Sequence, residues 1–451
     1  MAVISIVSKK ELECGTRIDA EYYRPEYAKL EEILLASNPL PLKKLVKSIK
    51  SFGAYSLMNQ VTYQEKGIPF LRAIDIKEGY ADFSNVVRIT KDAHKLLWKS
   101  EIKPRNVLLA MSGSVGNSCV ASDKWKYPIN SSQDLAKITV ADIINPYLLS
   151  TFLNSKYGRF QTQRLPVGSI QQHVFLWQIG LIKVPLLTNI QEYIACLVQN
   201  SETKLQESEN LYFQAEQILL SELGLHSWKP RHTLTYVRSF SQVAKASRMD
   251  AEHFQPKYKE MFDRLPSNVY LQLLGKITLY TKGTEVGSSA YTESGIPFLR
   301  VSNLSKHGIV DDTVNFISNE LYNVLREKYE PQQGEILLSK DATPGIAYFL
   351  DESVQGIIAS GILRLSLIED IPPYYLELVL NSIFVQLQIE QSVGGSIIKH
   401  WKPSQVQKTW IPRLLADREK EISALVQQSH AARREAKTLL EKAKRAVEIA
   451  I

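Results

Sequence analysis

The chain repeats itself at long range. RIDAEYYRPEY at 17–27 returns as RMDAEHFQPKY at 248–258, an offset of 231 positions. GIPFLR stands at 67–72 and again, letter for letter, at 295–300, an offset of 228. Pro104 and the apolar run at 107–109 return as Pro331 and the run at 336–338. Phe152-Leu-Asn-Ser155 is echoed by Val379-Leu-Asn-Ser382, and Gly168-Ser-Ile170 by Gly395-Ser-Ile397. Each copy closes with a long helical pattern. A period near half the chain is too long for a solenoid, whose repeats run to about 20–50 residues. It implies two copies of one module, and so two similar tasks on one chain.

A length of 451 residues has room for two such modules. The net charge of +7 permits a polyanionic partner without requiring one. Cys14, Cys119 and Cys196 are far apart and form no CxxC, which argues against a disulfide framework or a thiolate zinc site. The apolar start at 1–7 soon meets Lys9, Lys10 and Glu11, the wrong flank for a secretory signal. No apolar run approaches membrane-spanning length. A cytoplasmic protein without a membrane partner is expected.

Within each copy, short apolar segments alternate with turn signals such as Lys66-Gly67, Gly79, Gly113 and Gly116, which reads as strands and loops. Helical stretches are expected near 26–35 and from Pro146, with a counterpart opened by Pro372-Pro373. Two segments differ. From 189 to 223 no Pro or Gly interrupts a helical apolar period, and Gly224 stands where a helix would stop. From 415 to 451, Ile422, Leu425, Ser429, Ala432, Ala436, Leu439, Ala443, Ala446 and Ala450 form a heptad seam with a small-residue centre. The first helix carries six Glu and one Lys; the second carries eight Lys or Arg and six Asp or Glu. Opposite charge favours their pairing, with Ala432 and Ala436 facing residues near Leu205 and Leu211. The expected fold is α+β: two similar mixed α/β domains at 1–187 and 229–412, joined by two long antiparallel helices at 188–228 and 413–451 with pseudo-two-fold symmetry. Phe213 and Leu220 widen the apolar face of the first helix, either against the molecule's own domains or as a docking face for another protein.

The catalytic strings are incomplete. Asn145-Pro-Tyr147 and Ile371-Pro-Pro-Tyr374 resemble the NPPY loop of amino-methyltransferases, but one lacks the second Pro and the other the polar acceptor. Gly113-Ser-Val-Gly116 lacks the spacing of a dinucleotide or phosphate loop. The eight His show no metal-ligand spacing. Polar loops that could read DNA are present in matched places. Arg72 and Arg300 end equivalent strands. Ser112 and Ser114 follow one strand, Lys340 and Thr343 its counterpart. Gln171 and Gln172 follow one Gly-Ser-Ile, Lys399 and His400 the other. Arg and Lys suit guanine edges, Gln adenine edges, and Lys or Ser the phosphates. For the two arginines a structural ion pair is the competing reading.

The order of these motifs, twice over, resembles the specificity subunit of type I restriction-modification systems, across nearly the whole chain. GIPFLR, Gly334-Glu-Ile-Leu-Leu-Ser-Lys340, the Gly-Ser-Ile segments leading into Val184-Pro185 and Ile411-Pro412, and the helix ending Ala215-Glu-Gln-Ile-Leu-Leu-Ser-Glu-Leu-Gly224 carry the resemblance. It departs at Met111-Ser-Gly113, where the second copy has Lys340-Asp-Ala342. The resemblance implies a non-catalytic subunit with two target recognition domains, each binding half of a split double-stranded DNA site. It implies two methyltransferase subunits carrying S-adenosylmethionine, no cofactor in this chain, and a place for ATP-driven restriction subunits. A DNA-binding protein of the same two-domain build, acting alone or in another defence system, is the alternative.

Overall fold

The structure, a computed structural model, describes residues 22–52, 61–165, 173–310, 314–393 and 399–451, with Ile4, Ile6, Val7, Leu12 and Ala20 near the start. The chain divides into two compact units, Met1–Leu205 with Arg434–Ile451, and Gln206–Arg433.

Among the described residues the first unit contains two larger sheets, besides a short antiparallel pair of Leu40–Pro41 with Lys183–Val184. One runs in the order β1 (Val46–Lys50), β9 (Leu135–Val140), β6 (Val107–Ala110), β7 (Ser118–Val120), all antiparallel. The other runs β2 (Tyr63–Gln64), β4 (Val87–Ile89), β3 (Ile68–Leu71), β8 (Ile129–Ser131), β5 (Glu101–Ile102), with a parallel pair between β3 and β8. Helices α1 (Pro146–Asn154) and α2 (Lys156–Arg164) follow. Asn145 caps α1, its side-chain oxygen accepting from the Tyr147 amide at 3.0 Å, so this residue of the NPPY-like string serves the helix start. The long helix α3 spans Gln191–Glu222.

The second unit repeats this plan. Of its two larger sheets, one runs in the order β10 (Thr278–Lys282), β17 (Ile362–Leu367), β14 (Ile336–Ser339), β15 (Ala347–Phe349). The other is β11 (Tyr291–Thr292), β13 (Asn315–Ile317), β12 (Ile296–Leu299), β16 (Ile357–Ile358), again with one parallel pair, β12 with β16. Helices α4 (Pro373–Asn381), α5 (Ile383–Val393) and the long α6 (Ala416–Ala450) as far as Arg433 complete it. The fold is mixed α and β in both units, as the strand and helix signals indicated.

The repeated letters have structural reasons. GIPFLR places Gly67 and Gly295 at φ of +148° and +143°, and a Cβ on either would lie 2.3 Å from the carbonyl oxygen of Ile89 or Ile317. Only glycine lets strands β3 and β12 approach their neighbours this closely. In the Leu-Asn-Ser strings, Asn154 clamps Ser118 at both backbone groups, at 3.0 and 2.8 Å, and Asn381 does the same to Ala347 at 3.1 and 2.8 Å. Ser155 and Ser382 then bond back to Phe152 and Val379.

Each unit contains its own antiparallel pair of long-helix segments. In the first, residues 191–205 lie against 434–450: Ser201 Oγ donates to the Ala436 carbonyl at 3.0 Å, Lys204 meets Glu435 at 3.0 Å, and Ile194 and Val198 share a core with Ala443 and Val447. In the second, residues 206–222 lie against 416–433: Ser208 and Ser429 hydroxyls are 3.0 Å apart, Arg418 meets Glu222 at 3.2 Å, and Leu219 packs with Ile422 and Val426. Ala432 and Ala436 are buried, but the buried residues of α3 at these contacts are Ser201 and Ser208, while Leu205 and Leu211 are half-exposed. A hydroxyl allows close approach and supplies a hydrogen bond that leucine cannot. None of the described helices is long and apolar enough to cross a membrane.

Candidate nucleic-acid interface

In the second unit, three segments converge where β14 ends. The Lys340 amide donates to the Gly361 carbonyl, and the Lys340 carbonyl accepts from the Trp401 amide, both at 2.8 Å. A two-residue ladder then pairs Asp341 with His400 and Ala342 with Lys399. Trp401, fully buried, anchors the far strand. Ser339 staples the turn: its hydroxyl donates to the Thr343 carbonyl at 2.6 Å and accepts from the Ile346 amide at 2.8 Å. Ala342 sits in the left-handed region at φ +59°. Gly345, at φ +95°, turns the chain where a Cβ would lie 2.5 Å from Gln386 and Ile389.

Asp341 is the charged centre of this edge. Its Oδ1 lies 2.8 Å from His400 Nδ1, and its Oδ2 accepts from Lys340 Nζ. Burial would raise its pKa, but the Lys340 and His400 hydrogen bonds win and hold it below the usual carboxylate value. The Lys340 side chain is only 10% exposed, so its ammonium is committed to Asp341, whereas Thr343, Lys399 and His400 face solvent. Arg300 ends β12 beside this edge. Its amide donates to Asn303 at 3.0 Å, and the next residue, Val301, approaches Gly361.

The first unit builds the same edge from different side chains. The Met111 amide donates to the Asp134 carbonyl at 2.8 Å, and the Val174 amide donates to the Met111 carbonyl at 2.9 Å. Ser112 bridges to His173, and His173 Nδ1 lies 3.8 Å from Asp134 Oδ1. Ser114 is half-exposed in the turn between Gly113 and Gly116. Arg72 is held by its neighbour: its guanidinium bonds Asp75 at 3.2 and 3.1 Å and the Asn85 carbonyl at 3.2 Å. That is the structural ion pair weighed against DNA contact. Gln171 and Gln172 lie outside the described residues, as do both Gly-Ser-Ile strings.

Thus the structure groups Lys340, Thr343, Lys399 and His400 in one unit, and Ser112 with His173 and Asp134 in the other. The sequence reading missed Asp134, His173 and Asp341. A signal existed for the histidines: His173 and His400 share the 227-position offset of Asn154 and Asn381. Of the apolar pair on α3, Phe213 is 58% exposed, while Leu220 packs partly against the second unit's own core. Among the described residues, His, Cys, Asp and Glu form no group of three able to hold a metal ion.

No family model matches the chain, and no curated protein matches it. Among solved structures it is similar to the S subunit of a type I restriction-modification system from M. genitalium, at 12% identity over 91% of this chain and 94% of that one, with a TM-score of 0.39. It is also similar to the HsdS subunit from Thermoanaerobacter tengcongensis, at 14% identity over 91% and 95%, TM-score 0.29. A third similar chain belongs to a structure concerned with complex assembly and conformational transition of the type I R-M system, at 15% identity over 91% and 95%, TM-score 0.28.

Proposed function

We propose that this chain is the DNA-recognition subunit of a type I restriction-modification complex, reading a bipartite, asymmetric double-stranded site. The observation that carries the proposal is the repeated edge. One scaffold occurs twice, with the same three converging segments, yet the polar chemistry differs: half-buried Ser112, Asp134 and His173 in one unit, half-buried Asp341 with exposed Thr343, Lys399 and His400 in the other. A duplicated frame with unlike polar loops suits two different half-sites. Exposed Lys399 and Thr343 are fit for phosphate contact, which positions a protein on DNA, and the remaining side chains for base edges. The net charge of +7 agrees in sign.

In this reading the chain performs no chemistry and binds no cofactor. Two methyltransferase subunits carry S-adenosylmethionine and modify adenine, and ATP-driven restriction subunits could join them in the cytoplasm. The serine-lined contacts of α3 and α6 hold the helix segments in each unit, and exposed Phe213 offers apolar surface to a methyltransferase. The test is selection of the full chain on randomised duplex DNA, followed by methylation assays with and without a co-expressed methyltransferase. The expected result is an asymmetric split motif, with methylation only when both proteins are present. A single contiguous palindrome, or methylation by the chain alone, would defeat the proposal.

A further inference from the structure

We infer that the histidine–carboxylate pair present in each unit, His173 with Asp134 and His400 with Asp341, is the base-reading element of each half-site, the carboxylate positioning the ring and Nε2 meeting a base edge. This rests on the DNA-recognition reading above.

The two histidines hold the same register. Each bridges the second residue beyond the central strand's end, Ser112 or Asp341, and each precedes a residue whose amide donates to the neighbouring backbone, Val174 to Met111 and Trp401 to Lys340. Their carboxylates do not share a register. Asp341 lies in the segment that follows β14, whereas Asp134 lies just before β9, in the segment whose counterpart in the second unit is Gly361. Scaffold residues behave otherwise: Asn154 and Asn381, or Ser155 and Ser382, repeat together with the places they bond. A pairing rebuilt from a different segment in each unit marks a shared requirement at the histidine rather than a relic of duplication.

Stability does not supply that requirement. The His400 side chain is 64% exposed and that of His173 33%. Ion pairs so placed contribute little to folding. Orientation is the stronger effect. In the second unit Asp341 Oδ1 lies 2.8 Å from His400 Nδ1, and since a carboxylate only accepts, that nitrogen carries the proton; in the first unit the facing atoms, His173 Nδ1 and Asp134 Oδ1, are 3.8 Å apart, an ion-pair distance at which the carboxylate acts on the ring by charge alone. In the neutral ring, Nε2 is then left as an acceptor at the edge of the unit. Major-groove partners for an acceptor are the amino groups of adenine and cytosine. Each Watson–Crick pair offers one, so the tilt of the ring decides which pair is favoured. In the second unit Asp341 is itself fixed by Lys340, while Lys399, the residue before His400 on the same short strand, is exposed and fit for phosphate contact.

The experiment is sequencing of randomised duplex DNA selected by the full chain, wild type against His400→Ala, Asp341→Ala and Asp341→Asn, with His173→Ala, Asp134→Ala and Asp134→Asn as the mirror set. His400→Ala and Asp341→Ala should relax preference about tenfold at one position of one half-site. The rest of that half and the whole of the other half should be unchanged. Asp341→Asn, whose amide oxygen can accept the same hydrogen bond, should restore the preference. The mirror set should act on the other half alone. His400→Asn, polar and smaller, serves if alanine loosens the two-residue ladder. An unchanged motif, or a uniform loss across one half-site, would overturn the inference. A wild-type chain that enriches no sequence would instead overturn the DNA-recognition reading.

Discussion

Lys137 in the first unit and Arg364 in the second occupy one position of the repeated scaffold, on β9 and β17, and both are buried. Arg364 bonds Glu335 twice, at 2.7 and 2.9 Å, and the Lys328 carbonyl at 2.9 Å. Among the described residues Lys137 has no carboxylate within ion-pair distance. It donates to the carbonyls of Lys99 and Glu101, and where Glu335 stands in one unit, neutral Asn106 stands in the other. Both residues do the rest of the job alike. Asn106 accepts from the Lys103 amide and bonds Thr139; Glu335 accepts from the Gln332 amide and bonds Ser366. The difference separates two roles of one site: tying a turn to a strand, which both units need, and neutralising a buried cation, which only one achieves. Burial, with Lys50 adding to it, accordingly pulls the Lys137 pKa down to about 8.

The most severe test of this contrast is removal of the tie in each unit. Glu335→Ala strands the Arg364 guanidinium and should cost about 3–5 kcal/mol. Asn106→Ala loses only neutral hydrogen bonds and should cost about 1–2 kcal/mol. Hydrogen exchange of the β17 and β9 amides reports each unit separately, and equal losses would remove the distinction.

A second test is pH. The folded first unit releases the Lys137 proton from about pH 8, the unfolded chain near 10.5, so stability should rise with pH across that interval. Burial pushes the Glu202 carboxyl up to about 7 from 4.5, against the Ser122 hydrogen bond and Lys124, so stability should fall as pH rises from 4.5 to 7. Either slope amounts to up to about 3 kcal/mol. Both should appear in exchange of β9, with Lys137→Met erasing the alkaline slope and Glu202→Gln the acidic one. Slopes that survive these substitutions would point to other groups.

The mildest test is transplantation. Lys137→Arg together with Asn106→Glu should recreate the second unit's pair, with a coupling of about 1 kcal/mol or more over the single substitutions in a double-mutant cycle. Additive effects would mean that the surrounding strands, not the pair, set the preference.

The repeat was legible wherever both units solve a backbone problem in the same way. Gly67 and Gly295, Asn154 and Asn381, and Ser155 and Ser382 carry the same letters because strand spacing and strand clamping leave little choice. The long helices were legible from their uninterrupted apolar period. The Lys137 and Arg364 sites were not, because a lysine near asparagine and an arginine near glutamate share no pattern until the sheet aligns them. The candidate interface was half legible. Lys399 and His400 could be placed on a loop, but the partner of His173 lies 39 positions before it and that of His400 lies 59 before it, in different segments. For Arg72 the sequence left two readings open, a DNA contact or a structural ion pair, because its partner, Asp75, is only three residues away and bonds it through a tight turn that strand patterning does not reveal.

The first unit closes on Arg434–Ile451, so its core includes Ala443 and Val447. During synthesis those side chains emerge only after the 228 residues of the second unit, Gln206–Arg433, have been made. At about 5–20 residues per second, the ribosome leaves the earlier half without its last apolar surface for roughly 10–50 seconds. For that time it is an incomplete body, open to chaperones, proteases and neighbouring nascent chains. A stop codon just before residue 434 would therefore damage the part of the molecule that was translated first.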